Sequence, residues 1–244
     1  MKKRILLITL LLAFCLTGCG GTGSKLTQED VVGHGAEDYL GSYTENTYKN
    51  ERYSIHFTSP SRDFEFAILD EILTANDISD EGYTNKNVAS VLASGKDFMT
   101  MYGGDGELHT STSVVLSPLP KGTTQEQFMN TSEQKIKESL EKDTSIKIKE
   151  CELKPGSPIG NDKYLSYIIE ANNQSFYTVQ FYAFTDTDVA GITISAGSKK
   201  EIDKLFKSWK KLDESSSEGK SEGKSESKSE SKSESNTESA KGDQ

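Results

Sequence analysis

No apolar segment of this sequence is long enough to cross a lipid bilayer as a helix. The longest apolar run covers residues 5–16 and is interrupted only by Thr9, whereas a spanning helix needs about 20 residues. Lys2, Lys3 and Arg4 precede the run, and small residues follow it. This order of parts is typical of a secretory signal peptide, so the sequence predicts export across a membrane.

The sequence has fewer basic than acidic side chains. The chain has 28 Lys and Arg against 38 Asp and Glu, which gives a formal net charge of −10 at pH 7. Loss of Lys2, Lys3 and Arg4 with the signal makes the mature chain more acidic still. A phosphate backbone attracts proteins with an excess of positive charge. The composition therefore argues against nucleic acid as a partner.

Cysteine is scarce as well, and only Cys15, Cys19 and Cys151 are present. Cys19 directly follows Leu-Thr-Gly at residues 16–18, behind the basic start and the apolar run. This arrangement resembles the bacterial lipoprotein signal, in which the cysteine thiol receives a diacylglyceryl group. The resemblance implies a signal at residues 1–18, lipid attachment at Cys19, and a place on the outer face of the cytoplasmic membrane, as in a Gram-positive cell. The alternative is an ordinary secretory signal with an incidental cysteine.

With Cys15 removed and Cys19 lipidated, Cys151 has no partner for an intramolecular disulfide. A lone thiol is either a nucleophile or an ordinary strand residue. No His lies near Cys151 in sequence, and Glu150 and Glu152 flank it. Adjacent negative charge raises the pKa of a thiol. These neighbours favour a half-buried strand residue over a nucleophile.

The residue types that hold metals are scattered. His34, His56 and His109 are isolated, and none belongs to a His-Glu-x-x-His arrangement that could bind zinc. Asp186 and Asp188 resemble the start of a calcium loop, but later positions of that loop lack oxygen ligands. We therefore expect a hairpin turn there, and neither a metal nor a cofactor in the protein.

One segment matches a catalytic motif by sequence. Ser132 and Lys135 form the Ser-x-x-Lys of penicillin-binding enzymes, but the Lys-Thr-Gly partner motif is missing. The chain also has no Gly-x-Ser-x-Gly elbow and no phosphate-binding Gly-x-x-x-x-Gly-Lys loop. The expectation is a protein without catalytic residues.

Residues 43–212 carry the patterns of one folded domain. Alternation of apolar and polar residues predicts strands near residues 48–57, 98–102, 108–116, 146–153, 163–171, 175–184 and 189–196, with a turn at 103–106. Helices are predicted near residues 69–73 and 87–93, after a Thr123–Glu126 capping box, and from Ser198 to Leu212 with Trp209 as a core anchor. This order predicts an α+β domain in which one antiparallel sheet has helices packed on its faces.

The opening of that domain supports a second resemblance. The domain opens with a pattern formed by Tyr48, Asn50, Tyr53 and Pro60. A long mid-chain helix and a strand-strand-helix ending are predicted after it. This combination is similar to the PsbP/DcrB-like group. Many members carry a Trp soon after the first strand, where this chain has residues 61–64 without one. The resemblance implies a PsbP-like sandwich without chemistry of its own.

Two flanking segments are predicted to lack structure. Residues 19–42 begin with a Gly-rich spacer and form the tether behind the lipidated cysteine. Residues 213–244 repeat Ser-Glu-Gly-Lys and Ser-Glu-Ser-Lys, which places like charges four residues apart and offers nothing apolar to bury. We expect this tail to be disordered.

Together these features predict a membrane-anchored, non-enzymatic binding or accessory module for a protein or glycan ligand. The alternative is a cell-envelope hydrolase whose catalytic set is scattered through the sequence. If a binding face exists, the Tyr-rich strands could present it through Tyr164, Tyr167, Tyr177 and Tyr182. The competing interpretation is that these aromatic rings pack beneath the helices.

Overall fold

The computed structural model describes residues 39–105, 110–142, 146–171 and 174–212. This part of the chain forms eleven β-strands and four α-helices. None of these helices has the length and apolar character that crossing a membrane requires. The signal at residues 1–18, Cys19, the tether up to residue 38 and the tail at 213–244 lie outside the described residues.

The elements alternate short strands and helices before a run of long strands. The strands are β1 Ser42–Tyr43, β2 Thr47–Asn50, β3 Ile55–Thr58, β4 Glu65–Phe66, β5 Phe98–Asp105, β6 Thr110–Pro118, β7 Ile146–Pro155, β8 Lys163–Ala171, β9 Gln174–Phe184, β10 Asp188–Ala196 and β11 Trp209–Lys211. The helices are α1 Leu69–Asn76, α2 Asn85–Ala93, α3 Gln125–Lys142 and α4 Lys199–Ser208.

Seven strands form one antiparallel sheet in the order β4-β5-β6-β10-β9-β8-β7. The predicted strands of the second half of the chain are confirmed, and the turn at residues 185–187 joins β9 to β10 as an antiparallel hairpin. Strand β6 comes from earlier in the chain and pairs with β10. We call this the large sheet.

The remaining strands form a second antiparallel sheet in the order β1-β2-β3-β11. We call this the small sheet. The α+β class is as predicted, but the expectation of a single sheet is wrong. The fourth strand of the small sheet comes from residues whose spacing predicted helix, so the sequence pattern concealed it.

The two faces of the large sheet pack against different elements. On β6, Val114 and Leu116 belong to the main core with the small sheet, α2 and α4. Val115 between them points the other way and packs with Ile72 of α1 and Phe128 of α3. This alternation follows the two-residue period of a strand, so every central strand is buried on both faces.

Two helices begin at capping boxes, one of them a residue later than predicted. In α3, Thr124 accepts a hydrogen bond from the Gln127 N–H at 3.2 Å, and Gln127 Oε1 accepts one from the Thr124 N–H at 2.9 Å. Thr123 and Glu126, the predicted pair, stand one position earlier. In α4, Ser198 Oγ accepts from the Glu201 N–H, as predicted.

Residues 103–105 lie in β5 rather than in the predicted turn. Glycine is required here for close packing. A Cβ on Gly103 would come within 2.7 Å of the Phe64 ring, nearer than side-chain carbons approach one another. The bare backbone therefore lets the β4 segment lie tightly against β5.

Strand β7 forms one edge of the large sheet. Its register shifts between Ile148 and Glu150, and it carries alternating Lys and Glu side chains, including a Lys149–Glu170 ion pair at 2.8 Å. Bulges and charges are the usual protection of an edge strand against pairing with other chains.

Both ends of the described domain lie beside the β2–β3 turn. Tyr39 is fully buried, and its carbonyl accepts a hydrogen bond from Asn50 Nδ2 at 3.0 Å. Leu212 donates its N–H to the Ser54 carbonyl at 2.9 Å. The core thus begins before residue 43, the expected start, and the chain enters and leaves it at the same turn.

Trp209 joins the two sheets. Helix α4 ends at Ser208, and Trp209 begins β11 by pairing with Phe57, so the prediction that it lies in the last helix is wrong. Its role as a core anchor is confirmed, since it is 1% exposed. Its ring lies 5.0 Å from Phe57 and 6.0 Å from Phe181 of the large sheet, and its Nε1–H donates to Thr112 Oγ1 at 3.2 Å.

We expect Trp209→Ala to lower the free energy of unfolding by about 3–5 kcal/mol, because it opens a cavity between the sheets. Trp209→Phe keeps a ring at the centre and should lose clearly less. Denaturant titration of both variants measures the difference. A loss below about 1 kcal/mol for the alanine variant would contradict the anchoring role.

Candidate functional site

A cleft of about 480 Å³ opens where an edge of the small sheet faces an edge of the large sheet. One wall is the segment Tyr43 to Glu45, at β1. The other wall runs from Arg62 through β4 to Leu69, at the start of α1. Its volume lies within the range of small-molecule sites.

The aromatic rings of the cleft are held in fixed positions. Tyr43 and Tyr83 both donate their hydroxyls to the Thr100 carbonyl, at 2.6 and 3.3 Å. That carbonyl lies at a β-bulge, where the register of β5 shifts between Met99 and Met101. Burial raises the pKa of Tyr83 to about 12 and raises that of Tyr43 well above its usual value. Both hydroxyls therefore remain neutral donors.

The cleft is also where apolar side chains meet solvent. Among the described residues, the large hydrophobic side chains that are exposed are Tyr43 at 41%, Ile68 at 64% and Leu69 at 45%. Tyr43 and Leu69 line the cleft from opposite walls, and Ile68 is adjacent to Leu69. Clustered exposed apolar groups mark interaction sites, whereas isolated ones need no explanation.

Sequence reasoning missed this cleft because each wall is too short to show a period. Phe64, Phe66 and Ile68 alternate over only five residues before the helix predicted near residues 69–73, and Tyr43 stands at the expected start of the domain. The available signal was the pair of aromatic residues, Phe64 and Phe66, in so short a segment.

A second cluster, around Asp188, is an internal clamp. Arg52 Nη2 lies 2.6 Å from Asp188 Oδ2, and the two side chains are 6% and 1% exposed. Tyr53 Oη and Thr187 Oγ1 also donate to this carboxylate, at 2.6 and 2.8 Å. The guanidinium carbon of Arg52 sits 4.2 Å from the centroid of the Tyr39 ring. The ion pair joins the turn between β2 and β3 to the first residue of β10.

The electrostatics of the clamp agree with a structural role. Burial lowers the pKa of Arg52, but the hydrogen bond and the charge of Asp188 outweigh it and raise that pKa above its ordinary value. Burial, and then Asp188, raise the pKa of Tyr53, and the same causes raise that of Tyr39 to about 12. The Asp188 oxygens face these groups, so the predicted hairpin turn, and not a calcium loop, accounts for this segment.

Metal ligation finds no support in the part of the chain that is described, where no three His, Cys, Asp or Glu side chains converge. His56 lies on β3, and burial, then Lys210 and Lys49, lower its pKa. His34 and His109 lie outside the described residues.

The Ser-x-x-Lys match is not a catalytic pair in this fold. Ser132 is 6% exposed, and its hydroxyl donates to the Phe128 carbonyl one turn earlier at 2.9 Å. Its proton is therefore engaged by the helix backbone rather than by a base.

Cys151 is half-buried on β7, as predicted. Burial raises the pKa of its thiol, with Lys137 lowering it and Glu133 raising it. The sequence indicated the flanking Glu150 and Glu152 as the cause, but burial is the largest cause of the raised pKa. A thiol with a raised pKa is a poor nucleophile.

The four tyrosines of β8 and β9 do not form one surface. Tyr167 and Tyr182 are each 1% exposed, and they lie on the face beneath α3. Tyr164 and Tyr177 are half-buried on the opposite face, where the Tyr164 ring lies 5.0 Å from that of Phe206 in α4. The conditional prediction of an aromatic binding face is therefore wrong, and the prediction that these rings pack beneath the helices is confirmed.

Asp97 carries a carboxyl group in surroundings that disfavour its charged form. Its Oδ2 is buried without a hydrogen-bond partner. Burial raises its pKa from 3.8 to about 6, against smaller lowering effects of Ser117 and Lys135. Ser117 lies near the carboxyl, but the two form no hydrogen bond of normal geometry.

Several chains of known structure are similar to this one. The solution structure of cyanobacterial PsbP (CyanoP) from Synechocystis sp. PCC 6803 is similar with a TM-score of 0.42 and 10% sequence identity, over 70% of this chain and 95% of that chain. That protein carries the name of the group that the sequence resembles. No protein-family model matches the chain, and no curated protein is significantly similar. A similarity this low transfers no property to the present chain.

We expect Asp97→Asn to change how stability depends on pH. In the folded protein the pKa of Asp97 is raised from 3.8 to about 6. The protonated carboxyl group therefore contributes its full stability to the fold below pH 4. This contribution is lost as the pH rises through about 6. The variant should therefore gain about 2 kcal/mol relative to the parent between pH 4 and pH 8. Unfolding titrations at both pH values test this, with the exposed Asp63→Asn as control. Equal gains at both pH values would contradict the assignment.

Proposed function

We propose that this chain is a lipid-anchored protein of the outer face of the cytoplasmic membrane whose domain binds a ligand in the cleft without catalysing a reaction. The observation that carries the proposal is the meeting of exposed apolar side chains, Tyr43 and Leu69, on opposite walls of a cleft with fixed aromatic rings.

The lining of the cleft suits binding better than catalysis. It contains no His, Cys, Ser or Lys, and its one aliphatic hydroxyl nucleophile, Thr44, pairs with the Thr47 hydroxyl at 2.5 Å rather than with a base. Its carboxylates, Glu45 and Glu65, are both exposed. A general acid needs burial or a close like charge to hold its proton at neutral pH. The hydrolase alternative therefore has no support at this site.

Anchoring through Cys19 is supported by the sequence alone. The basic start, the apolar run and the Leu-Thr-Gly-Cys box stand in the order of a lipoprotein signal. Two or more acyl chains hold a protein stably on a membrane, whereas one chain binds marginally. Residues 19–38 then separate the lipid from Tyr39, where the described core begins.

We expect Cys19→Ala to release the processed protein from the membrane fraction, because the acceptor thiol for the lipid is gone. Cys151→Ala is the matched control, since it removes another cysteine from the same chain, and it should stay membrane-bound. Fractionation of cells followed by immunoblotting measures both. A Cys19→Ala protein that remains as membrane-bound as the parent after its signal is removed would overturn the anchor.

The cleft is tested with Nile red, a neutral dye that fluoresces in apolar surroundings. We expect the full-length chain to bind it and Leu69→Asp to weaken binding at least about fivefold, because the dye would then meet a desolvated carboxylate at a cost of about 1–3 kcal/mol. Gln125→Asp is the matched control, as Gln125 is also exposed and also begins a helix. Equal binding by parent and Leu69→Asp would show that the cleft is not the site.

A further inference from the structure

Three charged side chains surround the apolar cleft. Glu45 stands on the small-sheet wall, and Arg62 and Glu65 stand on the large-sheet wall. All three are exposed, and no ion pair joins any of them to another residue of the described ranges. Exposed charges elsewhere pair in some places, as in Lys49–Glu51 at 2.7 Å, and are in no ion pair within the described ranges in others, as at Lys96 and Lys121.

These charges differ in what they can bind. A guanidinium presents a planar fork of N–H donors that fits a carboxylate with two parallel hydrogen bonds. The two carboxylates accept hydrogen bonds and favour an ammonium group. Because both kinds border one apolar cleft, a ligand that satisfies all of them must carry charges of both signs around an apolar body.

We propose that the cleft binds a zwitterionic ligand with an apolar side chain, namely a short peptide or a free amino acid. Its ammonium group pairs with Glu45 and Glu65, its carboxylate pairs with Arg62, and its apolar side chain lies between Tyr43 and Leu69. This inference rests on the proposed function, because it names the class of ligand for the same cleft.

The excess of acidic over basic side chains around the cleft predicts which charged group of the ligand contributes more to binding. Two carboxylates face one guanidinium, so the ammonium group contributes more than the carboxylate. A fatty acid satisfies only Arg62 and leaves both glutamates facing an anion. A neutral apolar molecule satisfies none of the three. Both are therefore predicted to bind more weakly than a zwitterion of the same apolar size.

The test uses the dipeptide Phe-Leu and three derivatives of the same size class. They are N-acetyl-Phe-Leu without the ammonium group, Phe-Leu-amide without the carboxylate, and N-acetyl-Phe-Leu-amide without either. Calorimetric titration of the full-length chain gives the four affinities. Loss of one charge at an exposed pair weakens binding roughly two- to fivefold, and we expect acetylation to weaken it more than amidation.

Variants of the protein test which side chain binds each charged group of the peptide. Glu65→Gln should reduce the preference for the free ammonium group and leave the preference for the carboxylate, whereas Arg62→Gln should do the reverse. Glu138→Gln on α3 and Lys200→Gln on α4 are matched controls, because both positions are exposed and lie outside the cleft. Both controls should retain the order of affinities of the parent.

Two results would overturn the ligand class. One is equal affinity of the zwitterion and the doubly blocked peptide, and the other is absence of saturable binding by all four peptides. In either case, Nile red binding that is lost in Leu69→Asp would show that the cleft remains an apolar binding site. Failure of both the dye and the peptides would instead reject the proposed function itself.

Discussion

The small sheet can exist only while it is packed against the large sheet. Its strands have between two and four residues, and a sheet with an apolar face must bury that face against another layer. Its inner side chains, Tyr48, Ile55, Phe57 and Trp209, share one core with the central strands of the large sheet. Trp209 contributes most directly, because it pairs with β3 by its backbone and hydrogen-bonds β6 by its indole.

The cleft is a consequence of that packing. Each sheet ends at the cleft, the small sheet with β1 and the large sheet with β4. At these two edges Tyr43 stays 41% exposed and Phe66 stays half-buried. The Thr100 carbonyl, released at the bulge in β5, then fixes the Tyr43 and Tyr83 rings. The bulge that makes β5 irregular thus also holds the aromatic rings that make the cleft suitable for binding.

Local pattern predicted some elements well and failed wherever a distant contact decided the outcome. Strands β8 to β10 have nine or more residues each and are bounded in the sequence by polar turn residues, so their positions follow from local sequence alone. Trp209 continues the helical spacing of Ile202 and Leu205, but pairing with Phe57 ends the helix before it. Gly103 is a good turn residue by composition, yet the Phe64 ring beside it explains its presence in a strand.

The candidate site was beyond sequence reasoning for the same reason. Tyr43 and Leu69 belong to separate short segments, and nothing local indicates that they face each other. The sequence draws attention to the tyrosines of β8 and β9 because there are several of them. Successive residues of a strand point to opposite faces, so Tyr164 and Tyr167, three residues apart, lie on different faces. Lipid attachment at Cys19 depends on a linear signal read by other proteins, so the folded domain neither supports nor opposes it.

The shared position of the two chain ends determines how the domain would bear mechanical load. A pull on the segment before Tyr39 against the segment after Leu212 acts on both sides of the β2–β3 turn. Force would then open the Leu212–Ser54 hydrogen bond first and the Lys211–Ile55 pair next, one after another, as in unzipping. The cleft wall Tyr43 to Glu45 begins four residues after Tyr39, and the buried Tyr39 ring and its hydrogen bond with Asn50 stand between that wall and the tether. A stretched tether would therefore have to pull Tyr39 out of the core before it disturbed a bound ligand.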